Sequence, residues 1–169
     1  MKYLIEGSAL PGVSTDKKGG LTMFLVLIAL GYAGGLLVAL EQFGMKPGGI
    51  ATYYIGDEAQ LIFPKTYRGL LENAHFHLFS MAIIFLALTH LFLLCELWFR
   101  FKIWLLVFSF AGIVTEIASP WLIRYGNAAW AWLMVVSAPL VSVSSIIMVV
   151  LIIRELWFKK LAVAERSEG

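Results

Sequence analysis

The sequence predicts an all-α fold: a four-transmembrane-helix antiparallel bundle with both termini cytoplasmic. Three observations carry that prediction. First, 60% of the 169 residues are hydrophobic and only 14% are charged, against about 25% charged in an average soluble domain, and mean hydropathy is +0.85. Second, four segments reach the roughly 20 predominantly apolar residues that a spanning helix needs. Third, the breaks between the later segments are too short for anything but antiparallel neighbours. The 169 residues form a single integral membrane domain, because no soluble core of this length buries so much apolar surface.

The first span is predicted at about 21–43, behind Lys17 and Lys18. It is longer than a signal-peptide apolar region and no A-x-A site follows it, so it reads as an uncleaved helix. Gly31 and Gly35 form a small-xxx-small pair on one face, which lets another backbone approach closely. A neighbour within the bundle is the expected partner. The outer loop, about 44–69, opens on Lys46-Pro47-Gly48-Gly49 and carries Asp57-Glu58 before Phe63-Pro64. Its Ile50, Tyr53, Tyr54, Ile55, Leu61, Ile62 and Phe63 are too apolar for a free linker, so it is expected to fold over the outer mouth.

The second span is predicted at about 70–98, the third at 103–125 and the fourth at 128–158, joined by Phe99-Arg100-Phe101-Lys102 and by Gly126-Asn127. The second and fourth exceed the bilayer thickness, so each tilts or projects beyond it. Pro120 and Pro139 predict kinks. Ser137, Ser142, Ser144 and Ser145 are expected to satisfy backbone groups freed near the second kink.

Basic residues set the orientation. Lys2, Lys17, Lys18, Arg100, Lys102, Arg154, Lys159, Lys160 and Arg166 fall on one side, and Lys46, Lys65, Arg68 and Arg124 on the other. The positive-inside rule places the first group, and both termini, in the cytoplasm. The net charge of +2 is too small to imply nucleic-acid binding, and the lipid bilayer is the expected partner. A single cysteine, Cys95, rules out an intramolecular disulfide, a thiolate zinc site and covalent attachment of a c-type haem. No catalytic triad order, H-E-x-x-H, P-loop or dinucleotide fingerprint occurs, so a hydrolase is not supported.

The chemistry concentrates on the second span, which holds all three histidines: His75, His77 and His90. Ionisable groups inside lipid are costly and usually functional. His75 and His77 are about 200° apart on a helix and face opposite ways. His77 and His90 lie about 20 Å apart along the axis, which puts one imidazole towards each leaflet. Met81 shares the face of His77, one turn on. This spacing is similar to that of membrane b-type cytochromes, whose helices carry histidines towards both leaflets to hold two haems. The resemblance covers one helix. It implies haem b on His75, His77 or His90 and electron exchange with quinone. Bis-histidine ligation needs a second histidine-bearing helix, so a homodimer, a larger membrane complex or a methionine among Met23, Met134 and Met148 would complete it.

The stretch Glu72-Asn73-Ala74-His75-Phe76-His77-Leu78-Phe79-Ser80-Met81 also resembles that of a group of small bacterial four-helix inner-membrane proteins with an H-x-H-opened helix. That resemblance implies the bacterial cytoplasmic membrane and no particular activity.

A second constellation draws on the third span. Glu116 lies at about the depth of His77 on the neighbouring helix, and both are reached from the outer side. Glu41 ends the first span there and Glu72 opens the second. Together they predict an outer polar site with His77 and Glu116 at its floor and His75, Glu72 and Glu41 above. Such a site would hold a transition metal or pass protons. Glu41, Glu72, Glu96 and Glu155 have a plainer reading as charges at span ends, where water is close. His90 has one too, as a donor to a backbone carbonyl. Three functions stay open: a haem-bearing redox subunit, ranked first because it alone uses His90; a metal- or proton-handling transport protein; and a structural or assembly subunit.

Overall fold

A computed structural model describes residue 10 and residues 13–44 and 46–158 of the chain. Among these residues the protein is all-helical. Its five helices are α1 (Thr15–Phe43), α2 (Pro47–Ile55), α3 (Tyr67–Leu93), α4 (Phe99–Tyr125) and α5 (Ala131–Phe158). All but α2 are long and apolar enough to cross a membrane, so this is a multi-pass membrane protein.

Local chemistry explains where the helices begin and end. α1 stops at Gly44, whose φ of 59° is left-handed and whose N–H bonds the Leu40 carbonyl at 2.9 Å. Glycine takes that conformation without strain. The outer loop then turns helical as α2, with Pro47 in its first turn, where a missing N–H costs nothing. Thr66 starts α3, its hydroxyl accepting from the Gly69 N–H at 3.1 Å. Asn127 does the same for Ala129 at 2.8 Å, opening the short 3-10 turn Ala128–Trp130 that leads into α5. As expected, the loop covers one end of the bundle. α2 packs against α1, α4 and α5, and we call this the loop end.

The boundaries at the opposite end differ from expectation. α3 ends at Leu93, short of Trp98, and α4 already begins at Phe99, so the connection is Leu94–Trp98 and not Phe99–Lys102. The cause lies in distant side chains. Lys102 Nζ donates to the carbonyls of Leu93 at 2.9 Å and Cys95 at 3.0 Å. The Glu155 carboxylate accepts from the Glu96 N–H at 3.0 Å. These partners take the backbone groups that a longer α3 would have bonded itself. Glu155 is therefore a buried cap and not merely an interfacial charge. Glu155→Ala is expected to lower stability by about 1–3 kcal/mol, the cost of a buried donor losing its acceptor, measured as unfolding in detergent.

The central helix is α5. It packs on α1, α3 and α4, and 39% of its apolar window is buried against 11% for α1. It lies close against α4 at Gly112, where an added Cβ would stand 2.7 Å from Val141 Cγ2. Two apolar cores result. One, at the loop end, gathers Ile50, Tyr54, Leu70, Ile123 and Ala131. The other runs from the middle to the far end and includes Phe85, Leu88, Phe92, Met148 and Ile152.

Two packing expectations need correction. Gly31 and Gly35 do not bring a neighbouring backbone close, since a Cβ added at either meets nothing within 4 Å. The tight small-residue contact is at Gly112, on α4. Pro120 and Pro139 both sit inside continuous helices. The serines do not serve the carbonyl freed by Pro139, which is that of Val135. Ser142 donates to Ala138, and Ser144 and Ser145 to Val141, while Ser137 Oγ is buried without a partner among the described residues. At the other proline a serine not singled out in the sequence, Ser119, plays that part. It donates at 3.2 Å to the Glu116 carbonyl, the one that Pro120 leaves without its helical partner.

Candidate functional site

The buried stripe Phe85, Leu88 and Phe92 defines which face of α3 looks into the bundle. At about 100° per residue, His77 lies about 20° from Leu88 and His90 about 200° from it. Asn73, His77, Met81 and Ile84 continue the inward face towards the loop end, and all four line one cleft. On α4, buried Ile113 and Ile123 bracket Glu116, which reaches the same cleft. His77 is ten residues into α3 and Glu116 nine residues from the end of α4, so both lie about 13–15 Å below the loop end. The site therefore falls between the two apolar cores.

Two cavities meet at this pair. The smaller, about 20 Å³, is lined by Asn73, His77, Glu116, Trp121 and Met134, among others. That is room for one water, which needs about 10–15 Å³ by the same measure and polar partners. The larger, about 990 Å³, runs between α1 and α3 with α5 behind it. α1 packs mainly on α5 and α2, so a gap faces α3. Tyr32 crosses the gap, donating to Met81 Sδ at 3.6 Å, and its hydroxyl stands beside Ser145.

His77 Nδ1 lies 3.0 Å from the Asn73 carbonyl oxygen. A carbonyl only accepts, so Nδ1 carries the proton and Nε2 of the neutral ring is a free base. A carboxyl group at the depth of Glu116 holds charge only with a counter-group or water beside it, and the imidazole and the small cavity supply both. At the loop end the cleft is framed by aromatic rings. Lys65 Nζ sits 3.9 Å over the Tyr53 ring, and Tyr53 packs edge-on against Phe43 at 4.8 Å and Tyr54 at 5.0 Å. Burial pushes the Tyr54 hydroxyl above the ordinary phenol range, so it stays a neutral donor. Arg124 Nε donates to the Lys65 carbonyl at 2.9 Å and ties this strap to α4.

Of the candidate ligands and polar-site residues singled out in the sequence, the fold brings together His77, Glu116, Met81 and Met134. The others lie apart. His75 is exposed, its ring 4.9 Å from that of Phe79 on the outer surface. His90 is also exposed. Glu72 is exposed and pairs with Arg68 at 2.8 Å, and Glu41 is exposed and does not line the cleft. Among the described residues no three His, Cys, Asp or Glu side chains converge on a point that would hold a metal ion. The sequence reading missed Tyr32, Asn73, Tyr53 and Lys65. Asn73 was detectable, because it precedes His77 by one helical turn on the same face.

A family model described as a transmembrane helical domain matches residues 44–163, a stretch that takes in α2 to α5 and leaves α1 outside. No curated protein and no solved structure matches the chain.

Proposed function

Because this chain belongs to the transmembrane helical domain family, a description that names an architecture and no chemistry, we propose a function from its own site: a proton-binding membrane protein of the transport class, with His77 and Glu116 as the protonatable pair. The supporting observation is that these two residues, on different helices, line one cavity between two apolar cores. In this reading the membrane is the bacterial cytoplasmic one, and the charge distribution turns the loop end outward, with both ends inside and the site in the outer half.

His77 Nε2 and Glu116 share the proton, each able to carry it, with a water-sized space to bridge them. Asn73, Tyr32, Gln42, Tyr53, Tyr54, Lys65 and Ser142 are the other polar groups lining the cleft that the pair shares. Towards the far end Phe85, Leu88, Phe92 and Met148 close the path, so protons reach the pair from the loop side.

This reading ranks above haem ligation because only one of the three histidines, His77, faces the interior. A haem on His75 or His90 would need its second axial ligand from another chain, in a homodimer or larger complex. The match to the membrane family does not extend to the resemblance to b-type cytochromes. The test is infrared difference spectroscopy of the full chain in nanodiscs after a pH step. A pH-dependent carboxyl band that moves in His77→Ala is the expected result. No such band, or a band indifferent to His77, would overturn the proposal. A Soret band lost in His90→Ala would replace it with the redox reading.

A further inference from the structure

The cleft between α1 and α3 is larger than proton binding needs. Its volume of about 990 Å³ lies at the upper end of the about 300–1,000 Å³ typical of small-molecule sites. It is lined on α1 from Phe24 to Phe43, about 28 Å along the helix. That approaches the whole hydrocarbon thickness of about 30 Å. Between Phe24 and Gly35 its α1 wall is apolar apart from Tyr32. Gly31 and Gly35 face open space, so the missing side chains are part of what makes the cleft wide.

We infer that this cleft binds a neutral, lipid-phase molecule with a hydroxyl donor on its head and a single long apolar chain, of the phenol or quinol class. The head rests at His77 and Glu116 and the chain runs along Gly35, Gly31 and Leu27. The inference rests on the protonatable pair proposed above and names what the same site binds.

Three features select this occupant. First, depth: the polar end lies about 13–15 Å below the loop end. A phospholipid's charged headgroup belongs at the interface, whereas a small neutral head is tolerated where the pair sits. Second, hydrogen bonding: Nδ1 of His77 is already committed to the Asn73 carbonyl, so Nε2 and the Glu116 carboxylate offer acceptors, and a hydroxyl is the neutral group that donates to one of them. Third, access: α1 and α3 meet across the gap at Tyr32 and Met81, and α1 is the least buried of the four spans. The cleft is therefore reached sideways from the lipid.

The test uses the full chain in nanodiscs with para-dodecylphenol carrying a photoactivatable diazirine on its chain, cross-links being mapped by peptide mass spectrometry. Saturable labelling of the α1 segment around Leu27–Leu36 and of α3 around Met81–Ile84 is expected. Unlabelled para-dodecylphenol should compete at least about tenfold better than its methyl ether, which lacks the donor, a difference of about 1.4 kcal/mol. Gly35→Leu and Gly31→Leu, where no atom stands within 4 Å of the new Cβ, should fold and lose labelling at least about tenfold.

Equal competition by the ether, labelling outside the cleft, or full labelling in a folded glycine variant would each overturn the inference. If neither glycine variant folds, the ether comparison on the unaltered chain decides. Labelling and the infrared carboxyl band are separate readouts. A missing band with intact labelling sinks the proton proposal alone, and an intact band with ether-indifferent labelling sinks this one alone.

Discussion

Glu116→Gln is expected to abolish the pH-dependent carboxyl band of the protein outright and to reduce proton uptake after a pH step by one proton per chain. Glutamine keeps the shape and hydrogen-bonding reach of the side chain but cannot titrate. Among the described residues, Glu116 is the one acidic residue lining the cleft. The remaining acidic groups of the helices lie at their ends. Glu72 is held by Arg68 at 2.8 Å on the surface, and Glu155 caps the Glu96 amide. Substitution there should leave the band in place. The fold is expected to survive, because position 116 opens onto a cavity and not a packed core. Circular dichroism and thermal unfolding matching the unaltered chain would confirm that the lost signal is chemical. A band that persists in Glu116→Gln would assign the titration elsewhere and remove the basis for the site.

Gly112→Leu should have the largest effect on stability. The α4 backbone approaches α5 so closely at Gly112 that a Cβ would stand 2.7 Å from Val141 Cγ2 and 3.5 Å from Leu140 Cδ2. Val141 is itself buried, at 1% exposure, and Leu140 stands beside it at the same contact. Overpacking a filled interior costs about 1–3 kcal/mol. Leucine adds a whole side chain to this contact, so the upper part of that range is expected, read as a fall in unfolding midpoint in detergent. Gly35→Leu is the control, being the same substitution in the same kind of helix but facing open space. A destabilisation as large at Gly35 as at Gly112 would mean that α1 lies closer to its neighbours than described here.

The existence and number of spans were legible because hydropathy over roughly 20 residues is a strong signal. Helix ends were less so, since they depend on partners remote in the chain. The end of α3 is set by Lys102 and by Glu155, the latter 59 positions from the amide it accepts. The depth match of His77 and Glu116 could be read in advance, because a short connection makes the second and third spans neighbours. The facing of the histidines was also within reach. Phe85, Leu88 and Phe92 recur at helical spacing, and His75 and His90 fall off that stripe. The redox reading uses distance along the axis, whereas rotation about it leaves His75 and His90 exposed and His77 on the cleft. What periodicity could not reveal was the cleft. It exists because α1 leans on α5 and away from α3, and a run of glycines looks alike whether it faces a backbone or a void.

The placement of α1 also decides the parity of the chain. The stretch that matches the family crosses the membrane with three long helices, α3, α4 and α5, so a protein built from that stretch alone has its two extremities in different compartments. Adding α1 makes the number of crossings even and returns Thr15 and Phe158 to the same face. Reporters placed at Thr15 and at Phe158 are expected to agree with one another, whichever compartment they report.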